Sequence, residues 1–511
     1  MTRTENSTKN MYTGLIYQIL VLVFRFVTRT VFINSLGSEY LGINGLFSNI
    51  LTLLSLADLG IGGALVYSLY EPIAKKDEGR QRVIVQYLHK LYIIIGVAIL
   101  VIGIILLPFL KYLIKDNVTF INLNLVFLVY VFQTASTYLF FPSKVEFLCA
   151  NEKRYLYNKI ANIIVILSNL AQILILIIFK NFYLYLFTVI IFNILQAYLV
   201  SRKTNKLYPF ITKKTKKTLT KEEKKNIFKD CGSLMIHRMN YIVLTATDNI
   251  IISKYLGLST VGLYSNYVLI TNSITNILST FFDSISASIG NLQTNSSKDK
   301  DYQIFKLTNF ITAVCFGVFS VGIYVLANDF IKLWLGDSYL LSTTFVAMIS
   351  INLYIEGLRK FLSTYRSAHG LFREKKLVPL IGMIINIVVS IILVQKIGLF
   401  GVLLGTFISN VTTFMWVEPY IIYKKVFNKN VSGYYLKNIL YLVFFIVMAL
   451  ICRKVCNLIP ISGILGFIIY GIITVMIPLI IIILIYYKSE YGEYFKNIIY
   501  KFTKKVVKKN D

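Results

Sequence analysis

Apolar residues run along this chain in long blocks, each near the roughly 20 residues a helix needs to cross about 30 Å of hydrocarbon. Short polar stretches separate them. The pattern predicts fourteen helical spans, at 12–34, 41–70, 84–110, 121–143, 158–179, 184–201, 231–253, 261–290, 305–327, 341–365, 378–395, 399–423, 437–452 and 463–487. The second and eighth exceed the hydrocarbon thickness and are expected to tilt or project into water. The expected class is an all-α polytopic membrane protein of about fourteen transmembrane helices.

The polar stretches set the orientation. With a cytoplasmic N-terminus, the inside segments hold 39 Lys and Arg and the outside segments hold 8. That asymmetry obeys the positive-inside rule and places both termini in the cytoplasm. Composition agrees with the class, since 15% of the 511 residues are charged and 56% are hydrophobic, against roughly 25% charged in soluble domains. A net charge of +29 in a soluble protein points to nucleic acid. Here the charge sits in loops between apolar blocks, so no nucleic-acid partner is expected. The start, MTRTENSTKN, leads into the first span without a small-residue cleavage pattern, so no cleaved leader is expected.

The longest inside loop, residues 202–230, carries 11 basic residues after six spans. It divides the chain into an N-terminal lobe (1–201), a basic linker (202–230), a C-terminal lobe (231–423), an extra helix pair (424–487) and a basic tail (488–511). The linker either binds anionic headgroups or serves as a solvated topology element. An internal repeat agrees with the boundary. LGSEYLG (36–42) and LGLSTVG (256–262) lie 220 residues apart, each at the first outside turn of a proposed lobe. The offset covers six spans, an even number, so the lobes are expected to be parallel repeats with a substrate path between them.

Charge also enters the spans. Arg25 and Arg29 are four apart and share a helix face. Asp58 lies in the second span, Arg238 and Asp248 in the seventh with His237, and Glu356, Arg359 and Lys360 in the tenth. One carboxylate near mid-helix costs about 2.5–3.5 kcal/mol on insertion scales, so such groups are expected to be functional. Arg25 or Arg29 paired with Asp58, and Glu356 paired with Arg359 or Lys360, are the structural alternatives; Arg359 and Lys360 also lie within snorkelling reach of the inner surface. Basic groups still exceed acidic ones, and a surplus of arginine suits a phosphate-bearing ligand through the planar fork of donors. No G-x-x-x-x-G-K-[ST] occurs, the three histidines are scattered, and the five cysteines include one CxxxC pair without partners. No cofactor, metal or catalytic residue is expected.

The run FINSLGSEYLGINGLFSNILTLLSLADLGIGGALVYSLYEPIAKKD (32–77) resembles the start of Wzx-type polysaccharide flippases, of the multidrug/oligosaccharidyl-lipid/polysaccharide (MOP) exporter superfamily. The run TATDNIIISKYLGLSTVGLYSNYVLI (245–270) resembles the start of that family's second lobe. The resemblance implies a MATE-like pair of six-helix lobes plus two C-terminal helices, alternating between inward-open and outward-open states in the bacterial cytoplasmic membrane. It implies an undecaprenyl-diphosphate-linked oligosaccharide as cargo, with membrane lipids, a polymerase and other glycan-assembly proteins as partners. By the same resemblance Arg25, Arg29 and Arg238 contact the diphosphate; from their place inside the spans, Asp58, Asp248, Glu356, Arg359 and Lys360 are expected as coupling groups or charge partners. The extra pair at 424–487 resembles helices that shape a groove for a polyprenyl tail. Two other functions compete: a cation-coupled drug exporter of the same superfamily, whose cavities rely on acids, and a membrane polymerase or ligase, which needs a large outside loop. No outside loop here exceeds 13 residues.

Overall fold

A computed structural model describes residues 3–55, 61–140, 142–213, 215, 217–224, 246–293, 298–369, 371, 377–490 and 492, with backbone alone at 3–19, 61, 63–65, 280–293 and 377. Among the described residues the chain is helical and no strand occurs. The helices are α1 (Arg3–Leu36), α2 (Ser38–Leu54), α3 (Ile61–Ala74), α4 (Glu78–Leu106), α5 (Leu110–Leu113), α6 (Leu123–Leu139), α7 (Pro142–Ala150), α8 (Arg154–Phe179) and α9 (Phe182–Leu207). They continue with α10 (246–256), α11 (Leu258–Gln293), α12 (Lys298–Leu335), α13 (Thr343–Ala368), α14 (Leu377–Ile397), α15 (Leu399–Thr412), α16 (Phe414–Ile422), α17 (Ser432–Asn457) and α18 (Gly463–Tyr486).

Eight helical segments among the described residues are long and apolar enough to cross a membrane, and α6 with α7 makes a ninth if that bent pair is one span. Helical residues lie in each of the fourteen expected intervals. α2 and α3 have 17 and 14 residues, and α13 carries Glu356, Arg359, Lys360 and Arg366. Over the expected span 41–70 the described residues are helical at 41–54 in α2 and 61–70 in α3, and 56–60 lie outside the described residues.

Local chemistry sets the other boundaries. Asp77, Asn122 and Asn181 cap α4, α6 and α9, each side chain accepting from a backbone amide three residues on, at 2.8, 3.1 and 3.1 Å. Gly37 and Gly257 precede α2 and α11 at φ 91° and 97°, a region open to glycine and strained for other residues. Pro419 interrupts hydrogen bonding in α16, which passes into a π-turn at Tyr423–Phe427.

By internal contacts the chain forms two compact units, residues 1–265 with 387–402, and residues 266–386 with 403–511. In the first, α1 packs on α8, α8 on α9, and α4 on α6. Phe47 of α2 meets Phe127 and Tyr130 of α6 at ring-centroid distances of 5.1 and 5.8 Å. In the second, α12 packs against α13, α17 and α18. Two glycines admit rings there. A Cβ at Gly317 would lie 2.3 Å from the Phe445 ring, and one at Gly357 would lie 2.1 Å from the Phe316 ring.

Candidate functional site

In the first unit the candidate site begins on α1. Thr28 is buried and donates its hydroxyl to Asn169 Oδ1 on α8 at 2.9 Å. With buried Ser168 and Gln172 this makes a polar stripe along α8, which fixes α1 in rotation. That rotation leaves Arg25 exposed and Arg29 half-buried. Arg29 Nη2 donates to Ser265 Oγ on α11, and Ser265 Oγ donates to the Gly262 carbonyl at 2.8 Å.

Gly262 belongs to a backbone seam between the two repeat segments. A Cβ at Gly42 would lie 2.0 Å from the Leu258 carbonyl oxygen, and one at Gly262 would lie 2.3 Å from the Ser38 carbonyl oxygen. Adding 220 to Ser38 and Gly42 gives Leu258 and Gly262, so each contact is the image of the other. Such reciprocity marks a local two-fold relation between the repeats. Asp116 Oδ2 accepts from Leu258 N at 2.7 Å, and Lys115 N donates to the Ser253 carbonyl at 3.2 Å. The seam is thus held by backbone packing plus one carboxylate at the first turn of α11, where a negative charge is favoured.

Of the other expected groups in this unit, Asp248 is buried on α10 beside buried Asn249. Asp58 and Arg238, with His237, lie outside the described residues.

In the second unit Arg359 donates Nη1 to Asn410 Oδ1 at 3.1 Å and lies over the Phe414 ring, 5.2 Å from its centroid. Lys360 donates to Ser279 Oγ on α11. Glu356 is half-buried one turn earlier on α13. Two arrangements here escaped the sequence reading. Arg366, counted with the inner loop, faces Glu418 at 3.5 Å with side-chain exposures of 6% and 5%. The lone acid in the apolar run FMWVEPY was the available signal. At the ends of α12 and α13, Asp301 accepts from the Tyr365 hydroxyl and sits 2.9 Å from His369 Nε2, while His369 Nδ1 is 3.0 Å from the Tyr365 carbonyl. Burial pushes the His369 imidazole down, but the Asp301 bond and charge and the Tyr365 carbonyl hold it above its ordinary value.

An apolar pocket of about 110 Å³ lies among α12, α13 and α17, lined by Tyr324, Ile351, Tyr354, Leu442, Phe445 and Leu450. Ser320 and Ser350 add the other hydroxyls.

Residues 7–286, over half of the 511, match the polysaccharide biosynthesis protein family. The chain belongs to that family. The matched segment contains both runs that resemble the Wzx-type flippases. No curated protein matches the chain. Solved structures share its fold. Lipid II flippase MurJ in an inward closed conformation is 16% identical with a TM-score of 0.66, over 93% of this chain and 99% of that one. An inward-facing multidrug resistance MATE family transporter of the MOP superfamily is 14% identical with a TM-score of 0.59, over 78% and 96%. The Vibrio cholerae MATE transporter VcmN in the bent form is 14% identical with a TM-score of 0.53, over 86% and 100%. The family member is therefore a multi-pass membrane protein with the fold of MOP-superfamily transporters.

Proposed function

We propose that this chain is a flippase that moves undecaprenyl-diphosphate-linked oligosaccharide repeat units from the cytoplasmic to the outer leaflet by alternating access. The observation that carries the reading is the pair Arg25 and Arg29, on one face of α1 within its apolar stretch 19–33, inside the segment matched to polysaccharide biosynthesis. Arginine stays ionised and offers two parallel donors to a phosphate, so the pair is suited to the diphosphate. Arg238 is proposed as a third contact. Arg359 and Lys360 supply further positive charge within the second unit, and Asp58, Asp248 and Glu356 are proposed as charge partners or coupling groups. The apolar pocket among α12, α13 and α17 suits a section of polyprenyl tail. The lobes at 1–201 and 231–423, the bacterial cytoplasmic membrane and two cytoplasmic termini complete the proposal.

Deleting the protein should leave lipid-linked repeat units in the inner leaflet while their synthesis continues. Normal delivery to the outer face, in a strain without a second flippase, sinks the reading. Accumulation at the outer face points instead to a polymerase or ligase. A drug exporter is the second reading, favoured by the shared MATE fold and the buried acids Asp248 and Glu418. It predicts unchanged glycan export and raised drug sensitivity in the deletion strain.

A further inference from the structure

The relay from Arg29 through Ser265 to Gly262 joins the proposed diphosphate contact to the seam between the repeats. Arg29 donates to the Ser265 hydroxyl, and that hydroxyl donates to the carbonyl of the glycine packed on Ser38. A hydroxyl that accepts from a cation is polarised and becomes a better donor, so the guanidinium strengthens the bond to Gly262. The 220-residue offset supplies an internal comparison. It maps Arg29 onto Asn249 and Ser265 onto Gly45, and a Cβ at Gly45 would lie 3.6 Å from Asn249 Nδ2. The same two places meet in both copies, yet only one copy carries a cation and a hydroxyl. Packing alone does not need them, because the image contact is made without either.

We propose that Ser265 is a positioning residue that holds the seam closed through Arg29, and that a polyprenyl diphosphate opens the seam by taking Arg29 from Ser265. This rests on the proposed function for the identity of the anion. Phosphate oxygens are stronger acceptors for guanidinium than a neutral hydroxyl, and a bidentate contact uses two adjacent donors. A ligand moves an equilibrium only by its differential affinity for the two states. Competition for one guanidinium provides that difference, since the latched arginine has given a donor away. Substrate binding and seam release then become one event.

Val261 is buried in the seam, its Cγ1 3.2 Å from a Cβ built at Gly45. The test uses the purified full chain with its native cysteines replaced and Val261→Cys as reporter, timing its reaction with a maleimide. Without ligand, Ser265→Ala and Arg29→Gln should each react several-fold faster than the parent, and Ser265→Thr, which keeps the hydroxyl, should match it. Undecaprenyl diphosphate should accelerate the parent and Ser265→Thr but give Ser265→Ala no further increase. Parental rates in both Ser265→Ala and Arg29→Gln overturn the latch. Continued acceleration of Ser265→Ala by the lipid overturns the coupling. Faster reaction in both variants, with no lipid response in the parent, upholds the latch and refutes diphosphate as its ligand.

Discussion

At the scale of single residues, paired charge inside helices is where substitutions act most sharply. Arg366 and Glu418 are both nearly inaccessible, so removing one leaves the other charged and without its counter-ion. That loss typically costs about 3–5 kcal/mol, whereas apolar replacement of both partners is often neutral or stabilising. Glu418→Leu should therefore lower the melting temperature of the purified protein clearly, and Arg366→Met with Glu418→Leu should recover most of it. Equal destabilisation in the single and double variants refutes the pairing. His369 yields a prediction in pH. Its imidazole is held above the ordinary value by Asp301 and the Tyr365 carbonyl, so its stabilisation is complete below the unfolded value of about 6.5. It is lost as pH rises through the folded value. Thermal stability should fall over that window, and His369→Gln should flatten the fall. For the proposed site, Arg25→Ala, Arg29→Ala and Arg238→Ala should each abolish export with protein still in the membrane, and lysine should restore part of it. Near-normal export per folded molecule in all three leaves the cationic contact without support.

At the scale of elements, glycine sets how closely helices meet. The ring of Phe316 occupies the place of a side chain at Gly357, and the ring of Phe445 occupies that at Gly317. Gly357→Ala forces a methyl group into a ring, an overpacking that costs roughly 1–3 kcal/mol. Gly357→Ala should thus destabilise the second unit, with Phe316→Leu alongside restoring part of the loss in a thermal melt. Additive losses refute the contact. The helices themselves were largely legible from hydrophobic runs, because each run reports its own local burial in lipid. Breaks inside runs were harder to see. Hydropathy reports burial and not backbone hydrogen bonding, so it does not mark where a helix changes its bonding pattern. Pro419 and the π-turn after it were hidden in this way.

At the scale of the whole molecule, the orientation rests on 39 basic residues inside against 8 outside. In intact cells, cysteine at Ser338 should react with an impermeant thiol reagent and cysteine at Thr215 should not; the reverse pattern inverts the topology. The sequence by itself determined the membrane class, the helical spans, the expected orientation and the resemblance to polysaccharide flippases. The first three follow from composition and periodicity, which are properties of neighbouring residues, and the resemblance rests on the runs 32–77 and 245–270. It also showed that charge enters the spans at Arg25, Arg29, Arg359 and Lys360. Tertiary structure decided what that charge meets. Arg29 reaches Ser265, 236 residues away, Arg359 reaches Asn410, Arg366 reaches Glu418, and His369 reaches Asp301. Helical spacing determines which side chains share a face, but a partner on another helix depends on how the two helices are rotated and staggered. In this chain that was decided by the glycine contacts and by buried polar groups such as Thr28 and Asn169.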